Sequence, residues 1–526
     1  MRVWYCRVAP MSMVQFKCFR LLMSMQQALV ATILVAFSAL HSLPAAAQPS
    51  LPTLGDGSEL TTSAERRLGD RIIRELYRDP DYIDDAVLAE YVQGIWQPLK
   101  AAAKARGELS PELEERFAWQ ILLGRDRTVN AFALPGGYLG VHLGLIGVVA
   151  TRDELASVLS HELSHVTQRH IARLLSQQSK QTPLMLGAMI LTALAVSKNP
   201  GAAQALMVGG QALAIQNQLN FSRDMEREAD RVGYGLMGPA GFAPQGFVSM
   251  FEKLQQANRL NDNGSWPYLR SHPLTTERMA DMHSRTPMGS AAAAPVATLE
   301  HAMVAARARV LSNPGVDTLR QWVAEPQSSG FAALPPARRA AVLYAAALGS
   351  SQLRDAGGAR ATATRLHEVV RGDPAAERLV RLLSADIEMA AGDAAAALGA
   401  LANLPGDTAV RRPELVLRAQ ALLRVGRPAE VTGALQTWVA GHPEDATVWQ
   451  LLASNWQAQG QPLRAVRAEA EARAAHYDYA AAVDRFKAGQ DLARRGGPQV
   501  DHSEASIIDT RLKVVESLLR EQAAER

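Results

Sequence analysis

In the first half of the chain apolar positions recur at helical spacing, and the clearest run is Leu155, Val158, Leu159, Leu163 and Val166. With Thr151 and Glu154 set as a capping box ahead of it, the run predicts one long helix over 152–176. Residues 130–141 mix apolar side chains with Pro135-Gly136-Gly137 and predict a short strand and turn just before that helix. This segment is either plain core or an edge able to pair with an extended peptide. Two further apolar stretches, 184–196 and 201–215, are separated by Lys198-Asn199-Pro200. Each is too short to span a bilayer, so 184–215 reads as simple core packing or as a helical hairpin that covers a cleft or makes peripheral membrane or partner contact.

Beyond about residue 300 the pattern changes to short Ala/Leu-rich helices separated by Gly, Pro and Asp. Gly358, Gly392, Gly426 and Gly460 follow one another at 34-residue intervals, each with a small side chain seven residues earlier, Ser351, Ala385, Ala419 or Ala453. That is the period of the tetratricopeptide repeat. The last unit is fullest, with Trp449, Leu452, Ala453 and Trp456 before the turn, Ala465 after it, and Pro443 closing the unit before. Stacked repeats of this kind form a concave surface suited to gripping another protein.

The first 47 residues contain Arg2, Arg7, Lys17 and Arg20 and no acid, then an uncharged run over 28–40, Pro44, and Ala45-Ala46-Ala47. This is the order of a secretory signal peptide cleaved after about Ala47, with an uncleaved anchor as the alternative. Export to the periplasm is the expectation. Across 526 residues, 55 basic face 52 acidic ones; without the leader 51 basic remain against 52 acidic, and no basic field exists to attract nucleic acid. Cys6 and Cys18 are the only cysteines and both fall in the leader. The mature chain therefore has no disulfide, thiolate metal site or cysteine nucleophile.

The candidate chemistry sits on the predicted long helix as His161-Glu162-Leu163-Ser164-His165. Two imidazoles four residues apart project from one helical face and can meet a single Zn²⁺, while Glu162 stands beside the water that such a metal activates. Glu162 is the candidate base, taking the proton of that water and passing it to a leaving amine. Further on, residues 221–233 read FSRDMEREADRVG, with Glu226 and Asp230 on one helical face and Glu228 pointing elsewhere. Glu226 is the candidate third ligand. His272, between Ser271 and Pro273 and ahead of Arg278 and Asp281, is a candidate fourth, regulatory ligand.

HELSHVTQRH followed by SRDMEREADRVG, and preceded by NAFALPGGYLGVHLGLI, resembles the HtpX and CAAX-prenyl-protease superfamily of zinc metallopeptidases. Together with an export signal and C-terminal repeats, the chain looks like a periplasmic branch of that superfamily, without the transmembrane helices of its integral-membrane members. The resemblance implies His161, His165 and Glu226 as metal ligands, Glu162 as catalytic base, and Asp230 as a partner orienting a ligating imidazole. The expected fold is mostly α: a signal peptide at 1–47, a loose arm at 48–62, an α+β HExxH zinc metallopeptidase domain at 63–284, a linker at 285–299, and an α-solenoid of tetratricopeptide repeats at 300–526. The expected function is a periplasmic zinc-dependent metalloendopeptidase and chaperone in outer-membrane protein assembly quality control, degrading misassembled β-barrel proteins. Its expected partners are the outer-membrane β-barrel assembly machinery and unfolded or misassembled outer-membrane proteins, met through the repeats. The competing reading is a non-proteolytic repeat adaptor or chaperone with a largely silent zinc domain. Glu162 argues against it, because an adaptor does not need a carboxylate that binds no metal.

Overall fold

A computed structural model describes residues 60–177, 222–259, 265–285, 297–402, 411–496 and 501–524. The predicted leader, most of the arm, the apolar stretches at 184–215 and most of the linker lie outside the described residues.

Helix α1 (Thr62–Arg78) starts under Thr61, whose hydroxyl accepts from the Ala64 amide, and buries Leu68, Ile72 and Ile73. Helix α2 (Ala86–Ala105) starts under Asp85 and turns Leu88, Val92, Ile95 and Leu99 inward, a stripe with the three- and four-residue spacing of a helix. Short helix α3 (Pro111–Arg116) precedes a four-stranded sheet built from β1 (Tyr82–Ile83), β2 (Gln120–Gly124), β3 (Ala131–Leu134) and β4 (Tyr138–His142) in the order β1-β2-β4-β3. Strands β2 and β4 run parallel, and the other pairs are antiparallel. The predicted strand and turn is the β3–β4 hairpin, with Leu134 opposite Tyr138 across Pro135-Gly136-Gly137. Strand β3 is an edge of the sheet.

After α4 (Leu143–Val148) comes α5 (Arg152–Thr167), buried along its length from Glu154 to Thr167 and packed by α2 and β3. Its start is as expected: Thr151 accepts from the Glu154 amide, and the Glu154 carboxylate accepts from the Ala150 amide. Its end differs from the single helix predicted over 152–176. Arg169 adopts a left-handed φ of 52°, and a separate helix, α6 (His170–Gln177), begins there. Arg169 is held in the break by Glu65 at 3.2 Å and by the Leu60 carbonyl. Helices α7 (Arg223–Met237), α8 (Gln245–Arg259), α9 (Tyr268–Ser271) and α10 (Thr276–Arg285) complete this part, with α7 and α8 laid against α5. At Gly233 of α7 a Cβ would stand 3.1 Å from the His161 nitrogen and from the Ser160 carbonyl carbon, so the bare glycine permits this close approach of α7 to α5.

The remaining helices are α11 (Leu299–Leu311), α12 (Val316–Ala324), α13 (Pro336–Gln352), α14 (Ala356–Val370), α15 (Pro374–Ala391), α16 (Ala394–Leu401), α17 (Arg412–Arg424), α18 (Ala429–Gly441), α19 (Ala446–Ala458), α20 (Pro462–Ala475), α21 (Tyr479–Arg495) and α22 (His502–Ala524). From α13 onward each packs on the next. Three of the four periodic glycines close equivalent turns with left-handed φ: Gly392 at 87°, Gly426 at 73° and Gly460 at 69°. Gly358 does not. It lies in the first turn of α14, where its amide donates to the capping Asp355, and the left-handed turn residue of that unit is Arg354 at φ 64°. The small side chain seven positions before that turn is accordingly the fully buried Ala347 rather than Ser351.

These helices pack directly onto the sheet-bearing part. Arg307 of α11 donates to both carboxylate oxygens of Asp85 at 2.8 and 2.6 Å and to Asp386 at 2.8 Å. Arg378 of α15 bridges Glu90 and Glu414, and Arg412 of α17 bridges Asp84 and Asp445. Near the far end the Tyr138 hydroxyl donates to Asp70 at 2.6 Å and, with its one hydrogen so used, accepts from the Tyr477 hydroxyl at 2.7 Å. One cluster of buried apolar side chains runs from Leu68 of α1 to Tyr477, at the end of α20.

Candidate metal centre

His161, Glu162 and His165 of the helix motif converge with Glu226 and Asp230 of the acidic segment. His161 and His165, one turn apart on α5, place their Nε2 atoms 2.9 Å from each other. Helix α7, capped by Ser222, brings Glu226 against both, with Oε2 3.5 Å from His161 and Oε1 3.4 Å from His165. His272 follows α9, whose Tyr268 amide donates to the Val129 carbonyl just ahead of β3, and its ring stacks on Tyr268. Its Nδ1 lies 3.3 Å from His161 Nε2 and 3.0 Å from Glu226 Oε1. One ligand atom from each of His161, His165, Glu226 and His272 thus falls within 4.8 Å of all the others. The group is sealed: these four, with Glu162 and Asp230, are each 2% exposed or less.

Glu162 faces the group from α5. Its Oε2 accepts from the Ala133 amide of the edge strand β3 at 3.0 Å, and its Oε1 lies 3.4 Å from His272 Nε2. Asp230, one turn beyond Glu226, lies 2.9 Å from His161 Nδ1 and so orients that ring. It is itself gripped by Arg278, at 2.6 and 2.8 Å, which also reaches Glu226 at 2.8 Å and the Pro273 carbonyl at 2.9 Å.

Arg278 and His170 are the residues that the motif reading missed. Arg278 shares the buried face of α10 with Met282, a cation where the helical period calls for an apolar side chain, and that was its one signal in the sequence. His170 depends on the break at Arg169: five positions after His165 on an unbroken helix it would point well away, whereas here the two Nδ1 atoms are 3.0 Å apart. Glu228 does face away from the cluster, but its Oε2 is 3.0 Å from His170 Nε2.

The electrostatics fit a metal. Burial disfavours charge on both imidazoles of α5, yet Asp230 and Glu226 outweigh it at His161 and raise its pKa to about 10. His165, buried and facing that cation, is held well below the usual histidine range. Burial pushes the Glu226 carboxyl up, but His272 and His161 overcome this and hold it well below the usual carboxylate range. Glu162, Glu226 and Asp230 face Arg278 and the His161 imidazolium in this buried space, and a divalent cation that took the place of the His161 proton would balance the three carboxylates. Metal–nitrogen bonds of about 2.0–2.1 Å place tetrahedral ligands roughly 3.3 Å apart. The observed spacings of 2.9, 3.3, 3.4 and 3.5 Å bracket that value.

Residues 97–286 match peptidase family M48. This chain carries an M48 peptidase domain. The match runs from within α2 to the end of α10 and takes in every residue of the candidate centre. The putative beta-barrel assembly-enhancing protease of Vibrio cholerae is 35% identical over 259 residues, 48% of this chain and 51% of that protein, so this chain spans about half the length of that relative. The beta-barrel assembly-enhancing protease of Escherichia coli is 28% identical over 493 residues, 91% of this chain and 95% of that protein. The mitochondrial metalloendopeptidase OMA1 of Saccharomyces cerevisiae is 27% identical over 201 residues, 37% of this chain and 55% of that protein, a stretch of the M48 domain's length. With its M48 domain, the chain is a metalloendopeptidase. Among the described residues no helix is long and apolar enough to cross a membrane.

Proposed function

We propose that this chain is a periplasmic, zinc-dependent endopeptidase that acts in quality control of outer-membrane β-barrel assembly. The observation that carries the chemistry is the convergence of His161, His165, Glu226 and His272 within 4.8 Å. His161, His165 and Glu226 would hold the metal. A zinc ion there would supply Lewis acidity to water and to the peptide carbonyl. Glu162, fixed by the Ala133 amide, takes up a proton and returns it to the leaving amine. Edge strand β3 offers its outer side to an extended peptide beside that carboxylate. His272, with an imidazole nitrogen among the same four ligand atoms, would serve as a further ligand and would keep the enzyme latent until the segment that carries it moves.

Export and the β-barrel setting rest on the leader pattern and on the names of the relatives. The repeats, read as a tetratricopeptide solenoid from the 34-residue period and the turns at Gly392, Gly426 and Gly460, would recruit the assembly machinery or its unfolded clients. Because Arg378 and Arg412 bind the chain's own Glu90 and Asp84, that recruitment would use the helix faces turned the other way. Metal analysis and hydrolysis of an unstructured protein, compared between the wild type and Glu162→Gln, test the proposal. One zinc per chain in both, with turnover in the wild type alone, supports it; equal turnover in both overturns it.

A further inference from the structure

We propose that His170 and Glu228 form a positioning arm that decides which nitrogen of His165 faces the metal. The inference rests on the zinc reading above. It follows from counting donors and acceptors along one line of contacts. The Glu228 carboxylate, exposed enough to remain ionised and paired with Arg173 at 2.9 Å, can only accept. His170 Nε2, 3.0 Å away, must therefore carry the hydrogen and donate it. The His170 Nδ1 is then an acceptor, 3.0 Å from His165 Nδ1, so His165 must donate from Nδ1. His165 Nε2 is left with its lone pair, and this is the atom that meets His161 and Glu226.

His161 reaches the same tautomer in one step, because Asp230 sits directly behind its Nδ1. His165 needs two steps, because the break at Arg169 sets a second imidazole behind it. The arm also ties α6 to α7, and a purely structural role would ask only that the two helices be fastened. The two roles differ in what they require at position 228: positioning needs an acceptor, whereas fastening needs any side chain of similar length.

The test is zinc affinity of the full chain, measured by chelator competition, with the visible spectrum of the cobalt-substituted protein as a second readout. Glu228→Gln keeps a carbonyl that can accept from His170 and should bind within about threefold of the wild type. Glu228→Lys can only donate, reverses the hydrogen along the line, and should weaken zinc by about 10–100-fold, the usual range for partners of ligating imidazoles, with a changed cobalt spectrum. Asp224→Lys adds the same charge on the exposed first turn of α7 without touching His170, and should stay within threefold. If the lysine variant folds poorly, Glu228→Met removes the acceptor without a new charge and should weaken binding about tenfold. Lysine and methionine variants that bind like the wild type, or a glutamine variant as weak as the lysine one, overturn the arm. A wild type that binds no zinc overturns the zinc reading itself.

Discussion

Asp84 and Arg412, 328 residues apart in the chain, meet through two hydrogen bonds of 2.6 and 2.8 Å. Asp84 lies just before α2 and Arg412 opens α17, so the contact fastens the sheet-bearing part to the helices that follow residue 299. Arg378 with Glu90 and Arg307 with Asp85 repeat the arrangement along the same edge. Three guanidiniums held by acids of residues 84–90 make a seam, and α11 lies inside it.

The seam can be measured at its most buried point. Arg307→Met leaves Asp85 without its cation and should cost about 3–5 kcal/mol in urea unfolding. Adding Asp85→Asn should recover part of that loss, since asparagine still caps α2 and Asp386 alone is then left without the guanidinium. A loss under about 1 kcal/mol for the single variant would show that the pair holds nothing.

Glu162→Gln should keep the fold and the metal, because Gln can still accept from the Ala133 amide, while peptide hydrolysis falls by about 10²–10⁴-fold. Removing the metal with a chelator should abolish turnover in the wild type and lower its melting temperature, since a cation that binds only the folded chain stabilises it. A melting temperature that does not respond would place the metal elsewhere.

His272→Ala should raise cleavage of an unstructured protein several-fold with zinc content unchanged, as read on gels beside metal analysis. Loss of the metal in that variant would make His272 a permanent ligand instead.

Glu65 of α1 offers a pH signature. Burial pushes its carboxyl up from 4.5 to about 7, against the pull of Arg169. An acid raised on folding contributes its stability below its unfolded pKa and loses it as pH rises through the folded one. Unfolding free energy should therefore drop by about 3 kcal/mol more between about pH 4.5 and 7 in the wild type than in Glu65→Gln. Parallel pH profiles would mean that Glu65 titrates normally in the fold.

What the sequence showed and what it hid divide along the range of the forces involved. The cap at Thr151, the i, i+4 pairs His161/His165 and Glu226/Asp230, and the hairpin at Pro135-Gly136-Gly137 are local, and the structure has all three. The break at Arg169 was hidden because Glu65 and the Leu60 carbonyl, about 100 residues upstream, stabilise a left-handed turn that no local signal requires. Strand β1 is two residues long and β2 buries the adjacent Leu122 and Leu123 rather than alternate positions, so neither shows the strand period and both owe their state to their neighbours in the sheet. Gly358 fitted the spacing by coincidence, because Arg354 takes the left-handed turn that glycine usually fills. The roles of Arg278, His170 and Glu228 became visible only with the partners that they touch.

The apolar cluster shared by Leu68 and Tyr477 has a consequence for the order of events during synthesis. The hydroxyl that meets Tyr138 belongs to a residue made 339 positions later. A ribosome therefore releases most of the chain before the hairpin beside Glu162 has its full set of neighbours, and long-range closure of this kind is slow. Newly made chains would pass through an interval in which the peptidase half exists but is not yet completed by its C-terminal half, so that the onset of activity is tied to the finishing of the protein.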